Sequence, residues 1–358
     1  MNVRIAELLA QESIATAGTK TIDININEPI SRITIQARGT NNGSAPTAHP
    51  AKMITKIEVS DGSDLLFSMS GREAQALNHA DRGCLPFSLI AYENDIISTV
   101  NFHIDFGRYL YDKILALDPK RFSNLQLKIT HNKALGGSSP DAGTLGVIAH
   151  TISGVDVSPI GFLMSKEVYS YALAASGMEI ISLPNDYNIR QIMFGSLSAG
   201  NSPTNQLETI KLSVDNDRRV IINSMPVRDI FKMLICSPVF ESVIGMGSGS
   251  AITYYVSPAY ETYMNVSPLG TTLAATVALV QSNGGTVSLL SDASKGFQML
   301  VKGFAPHGMI SLPQGNPLEI DTWLEVVNAG KVAISLTAGS SVGASSTAEV
   351  VLQQLRNY

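Results

Sequence analysis

The sequence contains little charge and no concentration of positive charge. Asp, Glu, Lys and Arg make up 15% of the 358 residues, against about a quarter in typical soluble domains, and the net charge is −5. The N-terminus carries only Arg4 before Lys20, so there is no basic arm. Wrapping of nucleic acid requires clustered cations, so we expect no direct nucleic-acid contact. So low a charge favours a surface largely covered by other protein, although a neutral β-rich enzyme could have a similar composition.

Long apolar runs and closely spaced cysteines are also missing. No window of about 18 residues is apolar enough to span a bilayer, and the segment LGTTLAATVALV (269–280) is short and rich in Thr and Ala. Glu7 lies where a secretory signal peptide needs an apolar core, so we expect no secretory leader. Cys84 and Cys236 have no neighbouring ligand or CxxC partner, which predicts two buried free thiols in a protein made in the cytosol.

Motifs for catalysis, metal binding and nucleotide binding are missing as well. GMGSGS (245–250) lacks the GxGxxG spacing and is interpreted as a flexible loop, AGK (329–331) lacks the upstream glycine of a P-loop, and GxSxG does not occur. The carboxylates of DGSD (61–64) and DNDRR (215–219) lack the ligand spacing of a calcium loop and are typical of turns. The histidines form neither HxxxH nor HExxH; they are His49, His79, His103, His131, His150 and His307. We therefore predict no catalytic residue, no metal and no cofactor.

Period-two alternation of apolar and polar residues is the dominant pattern. It is clear in TIDININ (21–27), ISRITIQA (30–37), SNLQLKIT (123–130) and LGVIAHTI (145–152). KIEVSDGSDLLFSM (56–69) contains an Asp-Gly turn between two such segments and predicts a hairpin. A further strand is predicted around 98–106, which places His103 and His150 in strands, as packed or surface residues.

Three segments instead predict helices. Residues 3–12 (VRIAELLAQE) have apolar positions at helical spacing and indicate a short amphipathic helix that docks on something else. Ser70 and Glu73 fit a capping box at the start of SGREAQALNHA. Residues 165–176 (SKEVYSYALAAS) indicate a connector helix, which Ser165 could cap and Gly177 would end.

The two halves of the chain repeat the same landmarks in the same order. TIDININEPISRITI (21–35) corresponds to EIISLPNDYNIRQIMF (179–194), Ile57 to Ile210 and SMSGRE (68–73) to SMPVRD (224–229). Further matches join Cys84-x-Pro86 to Cys236-x-Pro238, Leu125, Leu127 and Ile129 to Val332, Ile334 and Leu336, and GVIAHTI to EVVLQQL. The difference in residue number between matched positions is 152 to 156 for the matches from Ile57/Ile210 to Cys84/Cys236, and it is larger by about 50 for the later matches. This pattern predicts a duplication with one insertion in the second half.

This duplication predicts an all-β chain of two tandem eight-stranded jelly rolls, each with a helix after the hairpin. The expected organisation is an N-terminal helix or arm at 1–18, a first jelly roll at 19–158, a connector helix at 159–176, and a second jelly roll at 177–358. The insertion is expected at about 239–331. Its cluster YYVSPAYETY (254–263) could form a subunit or receptor contact, or pack the loop onto the barrel.

The repeated phrase is explained by position: each copy lies where a hairpin strand ends and a helix begins. In the second copy, Pro226 suits a first helical turn and Asp229 is favourable near the helix N-terminus. Arg72 and Arg228 also lie in first turns, where a cation is mildly unfavourable. We expect each to be held by a carboxylate or by loop carbonyls of its own barrel or of a neighbour.

With these features the chain resembles the double jelly-roll major capsid proteins of tailless, often internal-membrane, double-stranded DNA viruses, the adenovirus-hexon and tectivirus lineage. NFHIDFGRYLYDKILALDPKRFSNLQLKIT (101–130) carries the closest local resemblance. The resemblance implies a homotrimer in which six jelly rolls form a pseudo-hexagonal capsomer of an icosahedral virion shell. It also implies contacts with neighbouring capsomers, with penton and minor capsid proteins and, through the N-terminal helix, with an internal membrane. No catalytic residues are carried over.

Two other functions remain open at this point. One is a viral spike or receptor-binding β-sandwich protein, although the sequence lacks a fibrous repeat. The other is a carbohydrate-active enzyme on a jelly-roll scaffold, in which a pair of acids could come together from distant positions. Fold alone does not decide among these functions.

Overall fold

The computed structural model describes residues 1–235, 237–247, 249–269, 278–280, 283–290, 296–344 and 346–358. The described residues do not include Cys236, Ser248 or most of 269–280. The predictions for the Cys236 thiol, for part of the loop at 245–250 and for the apolar segment therefore fall outside the described residues. Cys84 is a free cysteine, as predicted, but it is exposed, so the prediction that it is buried is wrong. No helix among the described residues is long and apolar enough to span a bilayer.

The described residues form mainly strands. The strands are β1 (Asn2–Ser13), β2 (Ala17–Asp23), β3 (Ile30–Thr40), β4 (Ile54–Asp61), β5 (Asp64–Met69), β6 (Ser88–Tyr92), β7 (Ile97–Asp105), β8 (Leu125–Asn132), β9 (Ala142–Ser153), β10 (Gly161–Ala172), β11 (Met178–Leu183), β12 (Ile189–Ser196), β13 (Leu207–Val214), β14 (Arg219–Pro226), β15 (Val239–Met246), β16 (Ala251–Tyr255), β17 (Pro258–Pro268), β18 (Ala278–Val280), β19 (Thr286–Leu290), β20 (Gly296–Pro306), β21 (Met309–Pro313), β22 (Val332–Ala338) and β23 (Thr347–Asn357). The α-helices are α1 (Gly71–Arg82), α2 (Pro203–Gln206) and α3 (Val227–Leu234). Short 3-10 helices occupy Pro50–Met53, Pro119–Arg121, Lys133–Leu135 and Ile320–Thr322.

Each half of the chain forms a jelly roll of two facing four-stranded sheets. In the first half the orders are β1-β9-β3-β7 and β2-β8-β4-β5. In the second half they are β10-β23-β12-β21 and β11-β22-β13-β14. Strand for strand the two orders are the same, so the predicted pair of tandem jelly rolls with short helices is confirmed.

The alternation of apolar and polar residues in the sequence matches the alternation of buried and more exposed side chains in these sheets. Along β8, residues 125 to 132 alternate between buried and half-buried, with Leu125, Leu127 and Ile129 facing the core. Period two in a strand places one set of side chains on the inner face, and that set closes the core between the sheets.

Two of the predicted helices are wrong. Residues 3–12 belong to strand β1, which pairs antiparallel with β9, and residues 165–172 belong to strand β10, which pairs antiparallel with β23. Both strands contain a β-bulge, between Glu7 and Leu9 and between Glu167 and Tyr169. A bulge inserts an extra residue and breaks period two, so the apolar positions took on helical spacing. Sheet pairing therefore overrides the helix propensity of both segments, and each is the first strand of its jelly roll.

The insertion builds additional sheet onto the first jelly roll. β6 pairs in parallel with β15, and β15, β20 and β17 extend the first sheet to eight strands. β16, β19 and β18 form a separate three-stranded sheet. These strands lie between α3 and β21, within the range predicted for the insertion.

Helix α1 begins at the capping box read from the sequence. The Ser70 side chain accepts a hydrogen bond from the Glu73 backbone N–H, and the Glu73 carboxylate accepts one from the Ser70 N–H. Gly71 is required at the first position because a Cβ there would lie 2.8 Å from the Ala51 carbonyl and from the Phe102 ring. The helix ends at Gly83, which has the left-handed backbone (φ 72°) typical of this position.

Replacement of Ser70 with Ala should lower the free energy of unfolding by about 1 kcal/mol, the usual loss when a capping side chain is removed. Urea denaturation followed by circular dichroism would measure the change. Ser63→Ala, at an exposed position in the Asp-Gly hairpin turn, is the matched control and should leave stability unchanged. Equal stability of the two variants would contradict a contribution from the cap.

Candidate functional site

The two jelly rolls are joined by a parallel strand pair. β5 of the first roll pairs with β10 of the second, with Phe67 opposite Ser165 and Ser68 opposite Lys166. This contact, together with the β6–β15 pair, turns separate sheets into continuous eight-stranded ones. Phe67 and Ser165 are each 1% exposed, so the junction is buried like a domain core.

Charged residues bridge the rolls around this strand pair. Arg72, in the first turn of α1, lies 3.6 Å from Glu349 of β23, and Lys56 of β4 donates a 3.0 Å hydrogen bond to Glu167 of β10. The other bridges are Arg356 with Asp64 and Arg190 with Asp81. The rolls are thus fixed by directional polar contacts in addition to the strand pair.

Two carboxylates of the junction hold protons unusually tightly. Burial, with the charges of Glu349 and Glu167 nearby, raises the pKa of Glu73 to about 7. Burial also raises the pKa of Glu349, an effect that Arg72 only partly offsets. Desolvation and mutual repulsion both disfavour the charged carboxylates. The junction is therefore sensitive to pH.

The two repeated arginines have different surroundings. Arg72 is held by the carboxylate of Glu349, as expected. Arg228, its counterpart on α3, lies 3.5 Å from the carboxylate of the adjacent Asp229 and remains largely exposed. The partner of Arg72 comes from the other roll, whereas Arg228 has no second roll beside it.

A buried polar cluster fastens the insertion to the first jelly roll. His49 accepts a hydrogen bond at Nδ1 from the Ala51 N–H, so Nε2 donates to Glu241 Oε1 at 3.0 Å. Ser257 donates to Glu241 from both its hydroxyl (2.6 Å) and its backbone N–H (2.8 Å). Burial opposes ionisation of Glu241, but His49 and the Ser257 hydrogen bonds outweigh it and lower the pKa of Glu241.

These residue types also occur in hydrolase triads, but the arrangement is different. In a triad the histidine takes the proton of the serine while the acid orients the histidine. Here the Ser257 hydroxyl donates to the Glu241 carboxylate, and it also lies 3.2 Å from His49 Nε2. That nitrogen carries the proton donated to Glu241, so it cannot take the proton of the serine, and all three side chains are buried. The cluster is a structural tie of the kind that satisfies buried polar groups. The sequence did not reveal it because His49 is separated from Glu241 by 192 positions.

Three of the other histidines are packed or partly packed in or beside the sheets. His103 and His150 lie in β7 and β9, as predicted, and contact Thr34 Oγ1 and Tyr111 Oη respectively. Burial, with a smaller contribution from Arg32, lowers the pKa of His103 to about 4. His307 packs against His49 with ring centroids 4.9 Å apart, and burial lowers its pKa well below the usual value. Among the described residues no group of His, Cys, Asp and Glu could hold a metal ion.

The tyrosine cluster of the insertion mainly packs the insertion onto the two rolls. Tyr254 lies between Tyr92 and Phe297 at centroid distances of 5.8 and 5.4 Å. Tyr260 packs edge-on against Phe231 of α3 at 5.3 Å. Tyr263 is the exception, with 61% of its surface exposed. The packing interpretation thus holds for Tyr254 and Tyr260.

The paired acids and the tryptophan have structural surroundings. Asp61 and Asp64 flank the turn at the tip of the β4–β5 hairpin, and residues 215–217 turn the β13–β14 hairpin with left-handed backbones. Trp323 is 4% exposed and donates from Nε1 to the Asn316 carbonyl. Turn geometry therefore explains both acidic motifs.

No protein-family model matches the sequence, and no curated protein sequence is significantly similar to it. Solved structures do match over nearly the whole chain. The major capsid protein P2 of bacteriophage PM2 is 11% identical with a TM-score of 0.56, the match covering 100% of this chain and 98% of that one. The major capsid protein of Sulfolobus turreted icosahedral virus is 11% identical with a TM-score of 0.57, covering 99% and 96%. PBCV-1 VP54, fitted into a reconstruction of the virophage Sputnik, is 10% identical with a TM-score of 0.59, covering 99% and 93%. These matches establish the double jelly-roll fold.

Replacement of Glu73 with Gln should make stability less dependent on pH. Wild-type Glu73 keeps its proton in the folded state up to about pH 7 but loses it near pH 4.5 when unfolded. The folded state thus binds more protons in that window, and wild-type stability falls as pH rises through it. Gln resembles the protonated acid, so the variant should gain on the order of 2 kcal/mol over wild type between pH 4.5 and pH 8.

Urea denaturation midpoints at pH 5 and pH 8 would measure this difference, and the contributions of the histidines cancel between variant and wild type. Glu208→Gln, at an exposed position on β13, is the control and should follow the wild-type profile. A pH profile of Glu73→Gln parallel to wild type would show that Glu73 ionises normally.

Proposed function

We propose that this chain is the major capsid protein of a tailless double-stranded DNA virus. The observation that carries the proposal is the duplicated jelly-roll order, which runs the length of the chain and matches two major capsid proteins over more than nine-tenths of both chains. In this role the chain acts through surfaces rather than a catalytic centre, and it resides in the virion capsid after synthesis in the host cytoplasm.

The proposed assembly unit is a homotrimer. Two rolls of equivalent strand order, joined side by side in one chain, let three chains present six similar blocks to a pseudo-hexagonal lattice site. Closed cyclic association is the usual solution for identical chains with a head-to-tail contact. Neighbouring capsomers, penton proteins and minor capsid proteins are the proposed further partners of an icosahedral shell.

The inserted strands are the proposed outward projection of the capsomer. β15, β17 and β20 present Phe240, Leu300 and Tyr263 on an exposed sheet face. The separate sheet β16-β19-β18 adds to the same insertion, and the His49–Glu241–Ser257 cluster anchors it. We expect this surface to face receptors or neighbouring capsomers.

The expectation of membrane contact is no longer supported by an N-terminal helix. The sequence-based expectation depended on an N-terminal helix, but residues 2–13 are strand β1 within the sheet. An internal membrane under the shell remains part of the proposal through the resemblance alone. We propose no direct nucleic-acid partner, in keeping with the low positive charge.

The two alternative functions have less support. For a carbohydrate-active enzyme, Glu73 and Glu349 have raised pKa values, but Glu73 is buried and Glu349 half-buried at the junction of the rolls rather than exposed in a cleft. For a spike protein, the exposed face around Phe240 is a compatible feature. Neither alternative explains why both halves have the same strand order.

Purified protein should be a trimer near three times 38.2 kDa, measured by multi-angle light scattering. At high concentration it should form hexagonal sheets or shells visible by negative-stain microscopy. A stable monomer that never tiles would contradict the capsid role.

A reconstruction of the assembled shell should place β15–β20 on its outer surface. The test is the position of Val239–Pro306 relative to the shell radius. Finding these strands on the inner face would overturn the assignment of the insertion as a projection while leaving the capsid role intact.

A further inference from the structure

Among the strand edges of the described sheets, β14 and β1 are the two whose counterparts in the other roll are paired with each other. The four-stranded sheet ends at β14, and the first eight-stranded sheet ends at β1. Seven of the eight residues of β14 are exposed, and on β1 the side chain of Ile5 is 60% exposed. Open edges offer unpaired backbone groups to another strand.

The strands that are equivalent to β14 and β1 in the other roll are paired with each other within the chain. β14 holds the place of β5 in its roll, and β1 holds the place of β10. Within the chain, β5 and β10 form the parallel pair that joins the rolls. The second roll therefore ends in the same kind of edge that the first roll uses to bind its neighbour.

The residues that would lie opposite each other in a β14–β1 pair follow from their counterparts in the β5–β10 pair. Ile57 lies opposite Met69 in one hairpin and Ile210 opposite Met225 in the other, so the two methionines correspond. Counting two residues back along the chain from each methionine, Phe67 corresponds to Asn223. The count is made along the strand because the β13–β14 pairing shifts register between Met225 and Ile222.

The other side of the contact is set in the same way. Ser165 lies opposite Gln353 and Ile5 opposite His150, so Ser165 corresponds to Ile5. The bulges at Glu7/Leu9 and Glu167/Tyr169 occupy matching positions and give the same alignment.

We propose that β14 of one copy pairs in parallel with β1 of the next copy, with Asn223 opposite Ile5 and Ser224 opposite Ala6. The four-stranded sheet of one copy then continues into the eight-stranded sheet of the next. The contact is heterologous, and it forms a ring when the rotation between copies closes, as the proposed threefold capsomer requires. This inference rests on the proposed capsomer and specifies which strands form its subunit seam.

The charges at the two edges are complementary. Arg228 corresponds to Arg72, and Glu7 corresponds to Glu167, which lies in the charged cluster around Arg72 within the chain. Both Arg228 and Glu7 are exposed. The seam brings this arginine and this carboxylate to one side of the strand pair, as their counterparts are at the intrachain junction.

One backbone change accompanies the pairing. Ser224 has a left-handed backbone with φ of 47°, whereas Ser68 lies in a paired strand. A non-glycine residue is disfavoured in this region, so extension of Ser224 against β1 also relieves strain.

Disulfide cross-linking tests the register. In a chain with Cys84 and Cys236 replaced by Ser, Ile5→Cys and Asn223→Cys are introduced into separate, co-expressed chains. Mild oxidation should give a covalent dimer that reductant reverses, and neither chain alone should form it. Val220→Cys paired with Ile5→Cys is the control, because a shift of three residues moves the Cα atoms about 10 Å, beyond disulfide reach.

Light scattering before oxidation separates a failure of the proposed β14–β1 seam from a failure of the proposed trimeric capsomer. Trimers that cross-link through 5 and 223 but not through 5 and 220 support the seam. Trimers that do not cross-link, or that link equally through both pairs, overturn the seam and leave the capsomer standing. Monomers would overturn the capsomer and the seam together.

A charge exchange gives an independent measurement. Glu7→Arg or Arg228→Glu alone should weaken trimer association roughly twofold to fivefold at low salt, and the combined exchange should restore it. Arg218→Glu, at the exposed tip of the β13–β14 hairpin, is the control and should have no effect. Additive losses in the double variant would contradict a contact between Glu7 and Arg228.

Discussion

The parallel pair of β5 and β10 is the contact on which the rest of the architecture depends. Each jelly roll alone is a pair of facing four-stranded sheets with its own core. Pairing of Phe67 and Ser68 with Ser165 and Lys166 makes one sheet run through both rolls and sets their relative position. Backbone hydrogen bonds give this junction a fixed direction and register, which apolar packing alone would not.

Charged residues at this junction add specificity at a cost in desolvation. Glu73 is needed by α1 as part of its capping box, yet it is buried near Glu349 and Glu167. Arg72 and Lys56 reach across to these carboxylates from the first roll. Removal of one partner from such a network leaves a buried charge uncompensated, which is strongly destabilising. The insertion is fastened on the same principle, with Glu241 satisfied by His49 and Ser257.

Much of the fold could be predicted because duplication and alternation are properties of the linear sequence. The phrases SMSGRE and SMPVRD occupy corresponding strand-to-helix boundaries, and the matched segments of the halves fall on corresponding strands. The errors at 3–12 and 165–176 have one cause. Each segment contains good helix formers and a bulge that hides period two, and only the pairing with β9 or β23 makes it a strand. The buried clusters could not be predicted, because their members come together only after folding.

The sequence by itself determined the all-β class, the duplication, the position of the insertion and the start of α1 at Ser70. These features depend on local period, on local capping and on comparison of one half of the chain with the other. Only the tertiary structure decided that the two terminal segments of the rolls are strands and that Arg72 is held by Glu349 while Arg228 is left at an open edge. Strand partners and ion-pair partners lie far apart in the chain, so no local pattern encodes them.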